Sequence, residues 1–266
     1  VQTCALPILN LFEIFRVGSQ SLLIIISTIG TALVVSYAVS RIMKIDHDIA
    51  TLVGVGSSIC GGSAIAAAAP VIKASDEDIA QSISVIFLFN VIAAFLFPTL
   101  GAILGFNDMG FGMWAGTAIN DTSSVVAAGQ TWASASGSDT ALNYATIVKL
   151  TRTLAIIPIC LGLAYLTSKR KATTSEVKIS SIFPMFIIYF LGASIINTFA
   201  GSHFDFFQFL PVIGKFMIAM AMAAIGLNTN LVKLIKTGGK PILLGLICWF
   251  CIAVVSLAMQ HLLNIW

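Results

Sequence analysis

The sequence predicts an all-α, polytopic membrane protein of about eight membrane segments, two of them discontinuous, with internal inverted repeats. Three observations predict it. Of 266 residues, 58% are hydrophobic and 9% charged, where soluble chains carry about 25% charged residues. With a mean hydropathy of +0.99, the 14 basic and 11 acidic side chains cannot coat a globule, so lipid must be the solvent for most of the surface. Apolar residues fall into runs of about the 20 residues that a hydrocarbon core of about 30 Å requires. Finally, two runs carry Gly and Ser across their middle, where freed backbone groups are tolerable only if buried in protein or lining a cavity. A net charge of +3, held mostly in short loops, leaves nucleic acid without support as a partner.

In chain order the runs are A (17–43), B (49–72), C (79–104), D (110–132), E (141–166), F (182–200), G (211–227) and H (241–265). Residues 1–8 match no signal peptide and read as a scar or truncation point, with 9–266 a single membrane transporter domain. Arg41 and Lys44 follow A, Lys169, Arg170, Lys171 and Lys178 follow E, and Lys233, Lys236 and Lys240 follow G. Cytoplasmic loops carry the basic excess, which puts these three loops inside and the C-terminus outside. The odd number of cysteines, with Cys60, Cys160, Cys248 and Cys251 in apolar runs, argues against a disulfide framework. The histidines sit in loops or at segment ends, so no metal site is expected.

Sliding the chain by 60 residues puts Gly56 on Gly116, Ile59 on Ile119, Ser63 on Ser123 and Pro98 on Pro158, so B and C echo D and E. A second echo, at 220, relates the start of A to the start of H. Two topologies fit. If B and D both span, the repeat is parallel; if both are re-entrant hairpins, it is inverted. The hairpin reading is preferred, because Lys73 then joins the cytoplasmic set, giving ten basic residues inside against Arg16 outside. Inverted repeats around broken helices are a recurring plan of secondary transporters.

Ionisable groups at depth cost several kcal/mol unless paired or wet, which makes Asp121 in D and Lys149 and Arg152 in E candidate site residues. Asp121 precedes Thr122, Ser123 and Ser124 and is placed to cap the second half of D. It reads either as an architectural partner of Arg152 or Lys149, or as a coupling or gating group for Na⁺ or H⁺. Gly61, Gly62 and Ser63 open the second half of B as Thr122 to Ser124 open that of D, and half-helix N-termini attract anions. Asn90 in C, a buried amide, either bridges helices or joins the coupling or gating set.

The stretches VGSSICGGSAIAAAAPVI, VIFLFNVIAAFLFP, WAGTAINDTSSVVAAG and ATIVKLTRTLAIIP resemble the YeiH-type sulfate exporter family of bacterial inner-membrane proteins. The likeness runs from about Leu9 to the C-terminus. It implies a multi-pass inner-membrane location and further helices upstream, hence a truncation before Leu9. That family is also distantly similar to the bile-acid symporter and sodium/proton antiporter group, which implies crossed discontinuous helices and a B that spans fully.

The resulting expectation is an ion-coupled secondary transporter of a small anion, sulfate or a sulfur-containing organic acid, working by alternating access. Ser57, Ser58, Gly61, Gly62, Ser63, Thr117, Asn120, Thr122, Ser123 and Ser124 would line the substrate site. Lys149 and Arg152 would balance the substrate's charge, so that Arg152→Gln abolishes binding with folding largely intact. An anion channel and a non-transporting scaffold are the alternatives. No catalytic pair or phosphate loop supports an enzyme. Beyond a coupling Na⁺ or H⁺ no cofactor is expected, and the expected partners are the bilayer and the anion, with a homodimer open.

Overall fold

The computed structural model describes residues 11–171, 216, 220 and 239–265. Segments F and G, and Asn228 and Asn230 after them, lie outside these apart from Phe216 and Met220. The described chain is helical, without strands: α1 (Leu11–Met43), α2 (His47–Ser58), α3 (Gly62–Ile72), α4 (Asp76–Ile103), α5 (Asp108–Ala118), α6 (Thr122–Ser136), α7 (Thr140–Thr153), α8 (Ile156–Lys171) and α9 (Gly239–Leu262).

Four stretches are long and apolar enough to cross a membrane: Arg16–Met43, Asp76–Ile103, Thr140–Thr167 and Gly239–Leu262. They coincide with A, C, E and H. Among the described residues Ile26, Val34, Ile42, Phe95, Ile103 and Phe250 turn large apolar side chains outward, as a surface in contact with lipid does. The third stretch bends where α7 gives way to α8. Pro158 has no N–H to return to Leu154, and tight bonds from Leu154 N to Thr151 O and Ala155 N to Arg152 O fill the bend.

Segments B and D follow another rule. α2 and α3 are 12 and 11 residues long, about 18 and 16 Å at 1.5 Å per residue. Asp46 caps α2 by accepting from Asp48 N, and Ser75 caps α4 by accepting from Asp78 N. Carboxylate oxygens of Asp46, Asp48 and Asp78 lie within 4.8 Å of one another, so the chain leaves α3 at the end where it entered α2. In D, the indole of Trp132 on α6 donates to Asp108 at the start of α5 (2.7 Å), so that pair also returns to its starting end. α3 packs on α8 whereas α5 and α6 pack on α7, so the two helix pairs occupy opposite ends of the bundle and their tips meet between.

Each end has its own core. Leu52, Ile65, Ile86, Ile156 and Leu244 fill one, and Phe97, Phe111, Trp114, Val125 and Ile252 the other. Phe97 stacks on Trp114 and Phe111 on Trp132, both with centroids 4.1 Å apart. On α5, a Cβ at Gly112 would lie 2.7 Å from Ala141 O and one at Gly116 2.8 Å from Ala145 O, so α5 and α7 touch backbone to backbone. This close approach sets the level of the second tip against α7. The protein is a multi-pass helical membrane protein.

Candidate functional site

The two tips are residues 59–61, between α2 and α3, and 119–121, between α5 and α6. They are equivalent under the 60-residue offset. Each tip gathers one helix C-terminus, with orphan carbonyls and a partial negative charge, and one N-terminus of opposite character. How those ends are satisfied defines the site.

The C-termini are held by α7. Lys149 Nζ donates to Ile59 O (2.6 Å) and Ile119 O (3.0 Å), the matching carbonyls of the two tips. Arg152 donates through Nε to Ser58 O (2.7 Å), through Nη2 to Ser57 O (2.7 Å), and through Nη1 to Thr117 O. Both side chains are fully buried. A buried cation without partners would cost several kcal/mol, but here the carbonyls and dipole ends that need a positive charge receive one. Among the described residues, the hydrogen bonds of both cations go to backbone carbonyls. Asp121 forms no ion pair with either of them among the described residues.

The N-termini are treated unequally. Asp121 caps α6 in extended geometry, its carboxylate accepting from Ser123 N (3.0 Å) and from Ser123 Oγ. At the equivalent place α3 has Gly61, in the left-handed region at φ +67°, with no side-chain cap. Ile65 N bonds back to Gly61 O, which leaves the N–H groups of Gly62, Ser63 and Ala64 at the open end of the helix. Gly61 lies against the second tip: a Cβ there would be 3.4 Å from Asp121 Cβ and 3.5 Å from Asn90 Nδ2.

Asn90 clamps the second tip from α4, its Oδ1 accepting from Asn120 N (3.1 Å) and Asp121 N (3.0 Å). Its Nδ2 is buried beside Gly61 without a partner among the described residues. Both amide atoms of Asn120 and the hydroxyl of Ser57 are likewise buried and unpartnered among these residues. Asn90 is 2% exposed and Asn120 1% exposed, so bulk water does not satisfy them. Buried polar atoms are almost always paired, so unpartnered ones on the two tips and on the clamp between them make this the candidate site.

The remaining sequence-predicted residues divide. Ser58 Oγ donates to Val55 O within its own helix. Ser63 is exposed, its hydroxyl turned to Cys60 O and Sγ (both 3.1 Å). Thr122 and Ser124 are buried in the first turn of α6, and Gly62 is half-buried. Thr117 Oγ1 lies 2.6 Å from Ser256 Oγ of α9, a contact not anticipated from sequence. Gln260, one turn further, is also buried; with its amide nitrogen toward Gly110 O (3.0 Å), its oxygen accepts from Trp114 N (3.2 Å). The signal was present as two polar residues four apart in an apolar helix. The carbonyls of Ile59 and Ile119 carried no such signal, since side-chain identity is silent about them.

Comparison with known proteins places this arrangement in a family. The chain is 58% identical over 264 residues to a UPF0324 membrane protein of Streptococcus pyogenes serotype M3, covering 97% of this chain and 78% of the relative. It is 56% identical over 266 residues to one of Streptococcus mutans serotype c, with the same coverage. To one of Fusobacterium nucleatum it is 54% identical over 272 residues, covering 97% of this chain and 79% of the relative. No solved structure matches. The family model described as conserved hypothetical protein 698 matches residues 8–245, and the chain belongs to that family of UPF0324 membrane proteins.

Proposed function

We propose that the protein is a secondary active transporter of a small anion, driven by a coupling Na⁺ or H⁺ and working by alternating access around the two tips. In this reading α2–α3 and α5–α6 are discontinuous segments that re-enter the bilayer from opposite faces. Half-helices of 11 to 15 residues, about 16 to 22 Å, carry each tip well into a core of about 30 Å. The observation that carries the proposal is the uncapped N-terminus of α3 beside the unpartnered Nδ2 of Asn90. Backbone N–H groups, a positive dipole end and a spare amide donor form a seat for an oxyanion. Lys149 and Arg152 support that seat indirectly, by cancelling the negative helix ends on its far side. Sulfate or a sulfur-containing organic acid is the substrate class that the resemblance to the YeiH-type exporters favours. The protein works without enzymatic chemistry or a bound cofactor.

The test is flux of labelled sulfate and thiosulfate in proteoliposomes, with wild type and Asn90→Asp. The aspartate keeps the oxygen that accepts from Asn120 N and Asp121 N but replaces the spare donor by an acceptor. Wild type is expected to exchange labelled for unlabelled anion, and the variant to lose at least tenfold in rate while remaining folded. Equal rates in the two proteins would remove the seat from this place. Flux without counter-transport would favour an anion channel.

A further inference from the structure

The two repeats finish their equivalent N-termini differently, with Gly61 before α3 and Asp121 before α6. The difference concerns charge as well as geometry. Asp121 already neutralises the start of α6, so that of the two N-termini at the tips the one without a side-chain cap among the described residues is that of α3. The side chain of Asp121 packs against that seat, its Cβ 3.4 Å from where Gly61 would carry one. An oxyanion arriving at α3 therefore meets a resident carboxylate in a partly buried site.

Nearby cations do not relieve this opposition freely. Lys149 and Arg152 are engaged with five carbonyls at the C-termini of α2 and α5. The groups facing Asp121 are Gly61 and the Cys60 thiol from the first tip, Asn90 from α4, and the Lys149 ammonium from α7. Two negative groups sharing one buried site is the arrangement in which one of them takes a proton.

We infer that Asp121 is the proton-carrying group of the anion seat, taking up one proton from solution each time an anion settles on the N-terminus of α3. The inference rests on the anion reading above and specifies its coupling ion. A protonated Asp121 keeps a carbonyl oxygen for Ser123 N, so α6 stays capped while the charge is removed. Anion and proton then bind together and leave together, and a proton gradient drives the anion.

Thermal stabilisation of the full chain in detergent, measured with sulfate, thiosulfate and nitrate from about pH 5 to about pH 8, tests this. These anions keep their own charge over that range. For wild type the apparent affinity should weaken by up to about tenfold per pH unit as the pH rises, the slope for one linked proton. Asp121→Asn retains an N-cap, since Asn caps as well as Asp, and should bind with little pH dependence. As an independent measurement, adding the anion to wild type at the upper pH in weak buffer should draw protons from solution. A pH-independent wild-type affinity, a requirement for Na⁺ in place of acid, or no proton uptake on binding would each overturn the inference and leave the anion reading standing. Absence of stabilisation by every anion, in both proteins and at every pH, would overturn the anion reading itself.

Discussion

Arg152 shows how far a residue's chemistry can be read before its neighbours are known. A guanidinium in mid-segment signals a functional or architectural demand for charge, and the sequence alone suggests a substrate's charge. In the folded chain the demand comes from Ser57, Ser58 and Thr117, whose carbonyls end two half-helices and lack intrahelical partners. Arg152→Gln is therefore expected to destabilise the fold, contrary to a purely ligand-binding role. Leaving buried carbonyls unpaired costs about 1 to 3 kcal/mol each. The loss should total about 3 kcal/mol or more, seen as a clear drop in the thermal unfolding midpoint in detergent, with Arg152→Lys intermediate. An unchanged midpoint would show that the carbonyls find other partners. Asp121 was legible in more detail, because capping is a local act and Asp–Thr–Ser–Ser at a restarted helix announces it. The spare donor of Asn90 was not legible: sequence places an amide at depth but cannot say which of its two ends is used.

At the scale of elements, the long spans were legible because length and hydropathy alone define them. B and D were harder, and the reason is arithmetic. Two half-helices joined by a short tip contain as many apolar residues as one full span, so a hairpin and a crossing helix look alike in a hydropathy reading. The Gly and Ser clusters marked the interruption. The return was visible only when Asp78 was found beside Asp46 and Asp48, and Trp132 on Asp108. The alignment of the second tip depends on α5 lying directly on α7. Gly116→Leu would drive a side chain into Ala145 O and Val148, each 2.8 Å from the position of its Cβ, and part the helices that align Lys149 with Ile119 O. Overpacking of this kind costs about 1 to 3 kcal/mol, and loss of the tip contact adds to it. The variant should elute as an aggregate or unfold at a markedly lower temperature. Gly30→Ala, where nothing lies within 4 Å of a new Cβ, should behave as wild type.

For the whole molecule, the 60-residue echo acquires a meaning that neither repeat has alone. Equivalent carbonyls, Ile59 and Ile119, converge on one ammonium, and Ser57 and Thr117 on one guanidinium, so α7 ties together two hairpins that come from opposite ends of the bundle. Asn90 makes the reciprocal tie from α4 of the first repeat to the tip of the second. The repeat was legible as matched glycines and hydroxyls; its convergence was not, because the tying atoms are mostly backbone. Central to the proposed function is one anion seat built by the two tips. It is tested most directly by placing a lone cysteine at Ser63 or at Ser123, with the native cysteines replaced, and following thiol labelling as sulfate or thiosulfate is added. The same anion should slow labelling at both positions over the same concentration range. Protection at one tip alone, or at neither, would contradict a shared seat.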